Sequence, residues 1–422
     1  MAQLVLRDQV LGNPAPSVAG DEAAGRGAPD AIAETGLDFT LVRTREEVDA
    51  LADEWNRLFA MGSNPTRMFQ SFNWCWLWCR HYMNEADATS ELAIVTGRRN
   101  GELCLVMPLV VTRDFGMRRL SWLGEPVSQY GDVLVAPQAV NPAVLDAAWT
   151  FAVKATRADF AYLRKVRDDS SVVGLMRQLG SIVTGEEIAP YLALSGDKTF
   201  ETWEERRKPK ARKNRRRQIR RLFEHGTVVF EKHEGTEKAG QLAFAAAVQK
   251  RDQLADKGAI SPALADPRFA AFFSAAAASA DHPAGVSVYT INLDGKPVAT
   301  KVIVESGGIR ALHIAVFDSH FEKCGPGAVL LEHLIACTID DRLQRLDLLA
   351  PRHEYKMMFA DETVAVKDHA IAVSWRGKIF VNGLLRQRHR LKAAVEALPA
   401  PAKKMITRVI GGKTPAEARP AA

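Results

Sequence analysis

The sequence predicts an α/β protein in which strands and helices mix in both halves of the chain. Two observations carry this. Short runs rich in Val, Ile and Leu alternate with longer segments whose apolar residues recur at helical spacing. One pattern also occurs twice: an apolar run, a turn through Asn100-Gly101, and a second run, then the same around Asp294-Gly295, 194 residues on. Asn-Gly and Asp-Gly supply the positive φ angles of a tight hairpin. The repeat argues for two related α/β units, not for a bundle or a sandwich.

The elements follow in order. Residues 1–36 are rich in Ala, Gly, Pro and Asp, and read as a flexible tail with no leader-like apolar run. Order is expected from a strand at Phe39–Val42. A helix from Thr44 follows, where Thr44 and Glu47 have capping-box spacing, and Val48, Leu51, Trp55, Leu58 and Phe59 form its apolar stripe. The first hairpin is expected over Leu92–Thr96 and Leu103–Val111. Strands near Asp132–Val135 and Phe160–Leu163 bracket a helix near Pro142–Thr156, and Tyr191–Leu194 is a strand leading out of the first half. The second half opens with a basic helix over 204–224. Ala-rich helices follow near Lys238–Leu254 and Asp266–Ala280. The second hairpin, a strand at Arg310–Phe317, a helix over Pro326–Arg342 and a strand at Arg345–Leu349 complete it. The expected organisation is a tail (1–36), a first domain (37–195), a second (196–385) and a basic C-terminal helix and tail (386–422).

Composition bounds the class. In 422 residues, 47% are hydrophobic and 25% charged, which excludes a disordered chain and a small disulfide scaffold. Five cysteines, an odd number, fit reduced thiols and a cytoplasmic compartment. No apolar run is long enough to span a membrane. The net charge of +6 is unevenly placed: Arg206 to Arg221 holds 11 Lys or Arg and no acid, and the rest of the chain is slightly acidic. Like charges so dense repel one another unless they meet an anion, such as a phosphate or an anionic bilayer. The bland alternative is a solvated helix face.

Two segments carry the clearest chemical signals. In Phe317-Asp318-Ser319-His320-Phe321-Glu322-Lys323-Cys324-Gly325-Pro326-Gly327, a strand passes through a short loop into a helix opened by Gly-Pro-Gly. Pro suits the first helical position, the glycines admit a ligand to the backbone, and free N–H groups at a helix start attract phosphate. A plain helix-initiating turn would look the same. In Arg352-His353-Glu354-Tyr355-Lys356, the Tyr355 hydroxyl is a proton donor for a leaving group, and the Lys356 ammonium suits an oxyanion. His313, on the strand before the loop, is a candidate proton acceptor, with Asp318 just beyond it, although a lone His in an apolar strand is also a common core residue. Asp132, in Tyr130-Gly131-Asp132, reads either as a groove residue or as a turn cap. Cys75 and Cys79 share a helical face, but no second ligand pair has metal spacing, so they read as core and no metal is expected.

These residues, with Phe69-Gln70-Ser71-Phe72-Asn73-Trp74, Pro190-Tyr191-Leu192 and Gly295-Lys296-Pro297-Val298-Ala299, resemble the GNAT acyltransferase superfamily in its double-domain form. The likeness is to the BioF2-like, or CelD/BcsL-type, acetyltransferases linked to exopolysaccharide or cellulose biosynthesis, which are related to Fem-type peptidyltransferases. It covers roughly residues 38 to 385. It implies tandem GNAT-like domains, each a mixed twisted sheet flanked by helices, with acetyl-CoA or another acyl-CoA as co-substrate. Gly325, Gly327 and Ala328 would cradle the pyrophosphate, with Cys324 beside them. The superfamily's loop usually opens with Arg or Gln where this chain has Glu322, which leaves room for a different acyl donor.

Three functions follow as expectations. The first is transfer of an acyl group to an amine or hydroxyl of a small molecule or glycan precursor, with Arg215, Arg216 and Arg217 recruiting anions beside the cleft. The second is a Fem-like aminoacyltransferase using charged tRNA, although the basic run lacks aromatic residues for base stacking. The third is a non-catalytic scaffold, peripheral to the inner face of a membrane.

Overall fold

The computed structural model describes residues 35–385 except 63, 84–89 and 260. The expected tail lies almost wholly outside the described residues, and the expected C-terminal helix over 386–422 entirely so. In the first half the strands are β1 (Asp38–Val42), β2 (Ser90–Leu92), β3 (Ile94–Arg99), β4 (Glu102–Met107), β5 (Leu109–Asp114), β6 (Met117–Trp122), β7 (Leu134–Val135), β8 (Phe160–Arg167) and β9 (Ile182–Ala193). The second half adds β10 (Val228–His233), β11 (Val286–Leu293), β12 (Lys296–Ser306), β13 (Ile309–Phe317), β14 (Arg345–Asp347) and β15 (Glu362–Ala372).

Both predicted hairpins form. Asn100 and Gly101 have φ of 52° and 84°, and Asp294 and Gly295 have 48° and 80°, the paired positive angles that Asn-Gly and Asp-Gly favour. Helix starts are equally local. The Thr44–Glu47 capping box is made, and Asn141 and Thr236 accept from backbone N–H groups at the starts of Pro142–Thr156 and Glu237–Asp256. Ala239, Ala243, Ala246 and Ala247 of Glu237–Asp256 face the core, and Gly240 lets the helix approach Pro267–Ala278. A Cβ on Gly240 would lie 2.9 Å from the Ser274 carbonyl oxygen.

Four strands form one sheet in the order β1-β3-β4-β7, and eleven form another, β10-β11-β12-β13-β14-β9-β15-β8-β6-β5-β2. Among these pairs only β13–β14 and β6–β8 are parallel. A parallel pair needs a helical crossover, and Pro326–Asp340 and Pro142–Thr156 supply one each. The two halves therefore repeat one motif. They also exchange strands: β9 of the first half lies between β14 and β15, and β15 of the second lies between β9 and β8. One apolar core runs from Trp55 and Phe69 through Phe272 and Phe273 to Val366, so it belongs to both halves. A second lies under Pro326–Asp340.

Three strands went unforeseen: β6, β10 and β15. The strand leading out of the first half is also longer than its apolar tip, because Gly185-Glu186-Glu187 pairs along β15, with Thr184 as a bulge, although both glutamates are exposed. Partners from the other half decide β15 and the length of β9, whereas β6 and β10 pair within their own halves.

Candidate functional site

The site begins where β13 and β14 part. Their parallel pairing covers only Ile309–Ala311 against Arg345–Asp347, so from Leu312 onward β13 has a free edge on that side. On its other side β13 pairs with β12, with Val302 opposite Ile314 and Ile303 opposite Leu312. His313 is thus the extra residue of a β-bulge, which turns the strand at the mouth of the opening. Helix Glu237–Asp256 covers part of the free edge. Gln249 and Gln253 donate to the Phe317 carbonyl at 3.2 and 2.9 Å, and the Lys250 ammonium lies 3.4 Å from the Ala315 carbonyl. The N–H groups of Ala315 and Phe317 point to the same side as those carbonyls.

At the far end of β13, Asp318 caps the turn Ser319–Cys324 by accepting from the His320 N–H at 2.9 Å. Gly325 follows at φ 58°, a left-handed conformation that suits glycine, and opens helix Pro326–Asp340. Ala328 and Val329 already donate to the Gly325 carbonyl at 3.0 Å, and Pro326 has no N–H, so the Gly327 N–H is the open donor at this helix start. The basic helix Pro209–Phe223 docks directly on this loop. A Cβ on Gly325 would fall 2.6 Å from the Gln218 side-chain nitrogen. Gln218 is held by Arg215 at 2.6 Å, and Arg215 pairs with Glu332 of the following helix at 2.7 Å. Arg216 and Arg217 lie on the outer face, bonded to Glu204 and Asn214.

The opposite wall is fixed by a buried ion network. Asp347, the last residue of β14, accepts from the Arg167 guanidinium at 2.9 Å and from the Tyr130 hydroxyl at 2.9 and 3.0 Å. It also accepts from the Leu349 N–H at 2.8 Å, and Leu349 sits at a left-handed φ of 58°. Arg167 is shared with Asp169 and stacks 4.6 Å from the Tyr130 ring centroid. The first half thereby sets the end of β14. Lys356 then donates to the carbonyls of Leu349 and Pro351 at 2.7 and 3.1 Å, and burial lowers its pKa to about 8.

The expected site residues separate into those the opening gathers and those it does not. Tyr355, 42% exposed, stacks on His353, and desolvation of its hydroxyl raises its pKa to about 12, so it stays protonated. His313 lies against Phe69, Trp74, Phe269 and Phe273. Its Nε2 donates to the Val127 carbonyl at 2.7 Å, and Nδ1 has no partner. Burial pushes its pKa down to about 3, which revises the expectation that it accepts a proton near neutral pH. Cys324 points into the apolar core beneath the loop, so its thiol is turned away from the loop surface. Asp132 is buried against Arg67 at 3.3 Å and accepts from the Val133 N–H, which makes it a structural ion pair remote from the loop. Arg215 likewise faces Glu332, not solvent.

Sequence reasoning missed Lys301, Lys250, Gln218 and Asp347. Only Lys301 left a visible signal, as the one charge in the apolar run Val298–Val304. Among the described residues, no group of three or more His, Cys, Asp or Glu is placed to hold a metal, and no helix is long and apolar enough to cross a membrane.

The β13–β14 pair thus splays open beside the glycine-opened helix Pro326–Asp340 that connects its strands. Residues 209–357 match the acetyltransferase (GNAT) domain family, a stretch that includes the basic helix, the loop and Tyr355-Lys356. Over that stretch the chain is similar to GNAT acetyltransferase domains. The fold is similar to that of FemX, with a TM-score of 0.53 at 10% identity over 82% of this chain and 100% of that one. It is also similar to a conserved protein of unknown function from Bacteroides thetaiotaomicron VPI-5482, at 0.50 and 11% over 79% and 99%. A tandem GNAT protein from the clavulanic acid biosynthesis pathway aligns at 0.44 and 11% over 80% and 98%. No curated protein matches the chain.

Proposed function

We propose that the protein transfers an acyl group from acyl-CoA to an amine or hydroxyl of a small molecule or glycan precursor, at the opening between β13 and β14. The observation that carries this reading is the docking of the basic helix on the Gly325–Gly327 loop. One free N–H is a thin anion site, and Gln218 with the neighbouring arginines completes it. The pyrophosphate would rest on Gly327 N–H, with Gln218 beside it and the exposed cations of the helix outside.

The thioester would lie along the free edge of β13, whose N–H groups polarise its carbonyl. The acceptor's nitrogen or oxygen forms the new bond to the acyl carbon, and the carbon–sulfur bond breaks. The departing thiolate takes a proton from Tyr355, whose high pKa keeps that proton available, and the acceptor's own proton returns to the phenolate through solvent. His313 does not take part as a base. It fixes the bulge by its bond to Val127.

Titration calorimetry with CoA and acyl-CoA tests this. Wild type should bind, and Gly327→Glu should bind at least about tenfold more weakly, because the new carboxylate stands where phosphate approaches. A Cβ there meets the edge of the Phe317 ring at 3.2 Å, so the ring must give by a few tenths of an ångström, and a melting curve run alongside confirms that the variant is folded. No binding to wild type, or equal binding to both, overturns the reading.

A further inference from the structure

Lys301 stands in the middle of β12, in an apolar run, and is 2% exposed. A buried ammonium persists only where something answers its charge. Among the described residues no acceptor bonds to it, and the charges that act on it, those of Lys250 and Lys356, have its own sign.

The three lysines come from three elements and meet around one opening. Lys301 lies across from Ala315, on the part of β13 whose other edge is unpaired. Lys250 reaches the carbonyl of that same Ala315. Lys356 stands on the opposite wall, anchored at Leu349 and Pro351. Further basic groups surround them. His353 feels Lys356, Lys250 and Lys257, and Lys165, on β8, is held by the Ser128 carbonyl and Gln129 near His313. Of the acids that act on Lys356, Asp347 is already engaged by Arg167 and Tyr130 and Glu187 makes no bond to it, while Glu125 and Asp368 act on Lys165. Acyl transfer by itself asks for nothing like this, since a neutral acyl chain leaves all three charges unanswered.

We propose that this opening seats an oxyanion of the substrate, a carboxylate or phosphate carried by the acyl group or by the acceptor, between Lys250, Lys301 and Lys356. The proposal rests on the acyltransferase reading of the same cleft and narrows its substrates to anionic ones.

Calorimetry on the full chain tests it, with wild type and Lys301→Met compared. Methionine fills nearly the same space without charge, and a melting curve confirms that the variant is folded. Succinyl-CoA and butyryl-CoA have acyl chains of equal length and differ in a terminal carboxylate. At least about tenfold tighter binding of succinyl-CoA by wild type, lost in the variant, supports an anionic acyl group. Without that preference, binding of succinate or inorganic phosphate to the CoA-saturated protein, lost in the variant, supports an anionic acceptor. Equal behaviour of wild type and variant toward every probe overturns the proposal, even where CoA itself binds. If CoA does not bind, the acyltransferase reading fails, and succinate and phosphate titrated alone still decide the lysine site.

Discussion

At the scale of single residues, Lys301 sets a pH dependence whose sign follows from its surroundings. Burial lowers its pKa from the usual lysine value to about 7. At lower pH both folded and unfolded chains carry the proton, and the fold bears the full cost of the buried charge. Between about 7 and the ordinary lysine value the unfolded chain binds more protons than the folded one, so stability rises with pH. Above that range neither form is charged and the cost is gone. Lys301→Met should therefore melt a few degrees above wild type near pH 6, each kcal/mol being worth roughly 1–1.5 °C in a chain of this size. The gap should close as pH climbs toward about 10, where the unfolded chain also loses its charge. Calorimetric scans across that range read it directly, and a variant that melts below wild type at low pH contradicts it. His313 teaches the same lesson from the other side: its position on the strand was legible, but its role depended on the four aromatic rings around it, which come from distant segments.

At the scale of elements, the basic helix divides its own arginines. The charge run and its helical character were plain in the sequence, as were both hairpins and the Gly-Pro-Gly helix start, because each is written in local residues. Which arginines stay free was not, because that depends on the face that docks against Pro326–Asp340. The inner face holds Arg215 against Glu332, with side chains 11% and 16% exposed, and the outer face holds Arg216, 69% exposed. Arg215→Ala would leave Glu332 without its partner and is expected to cost about 3 kcal/mol in denaturant unfolding. Arg216→Ala with Arg217→Ala should change stability by no more than about 0.5 kcal/mol each. That pair should instead weaken CoA binding and flatten its dependence on salt. Reversed results, with the outer pair destabilising and Arg215 neutral, would mean that the helix docks by its other face.

At the scale of the whole molecule, the strand exchange makes the chain one folding unit although its sequence reads as two. The repeat is visible because its turns and apolar runs are local. The exchange is not, because β9 and β15 are chosen by partners far along the chain. Cutting at the proposed boundary after residue 195 would remove β9 from between β14 and β15 and leave two unpaired edges beside the cleft. It would also take away Tyr130 and Arg167, which hold Asp347 at the end of β14. The full chain is therefore expected to unfold in a single transition, with near-ultraviolet circular dichroism and fluorescence coinciding. A fragment of residues 196–385 should lack that transition, and one extended back to residue 180, which restores β9, should recover more of it. A 196–385 fragment that melts like the intact protein would show that the exchanged strands add little, and that the second half builds its cleft alone.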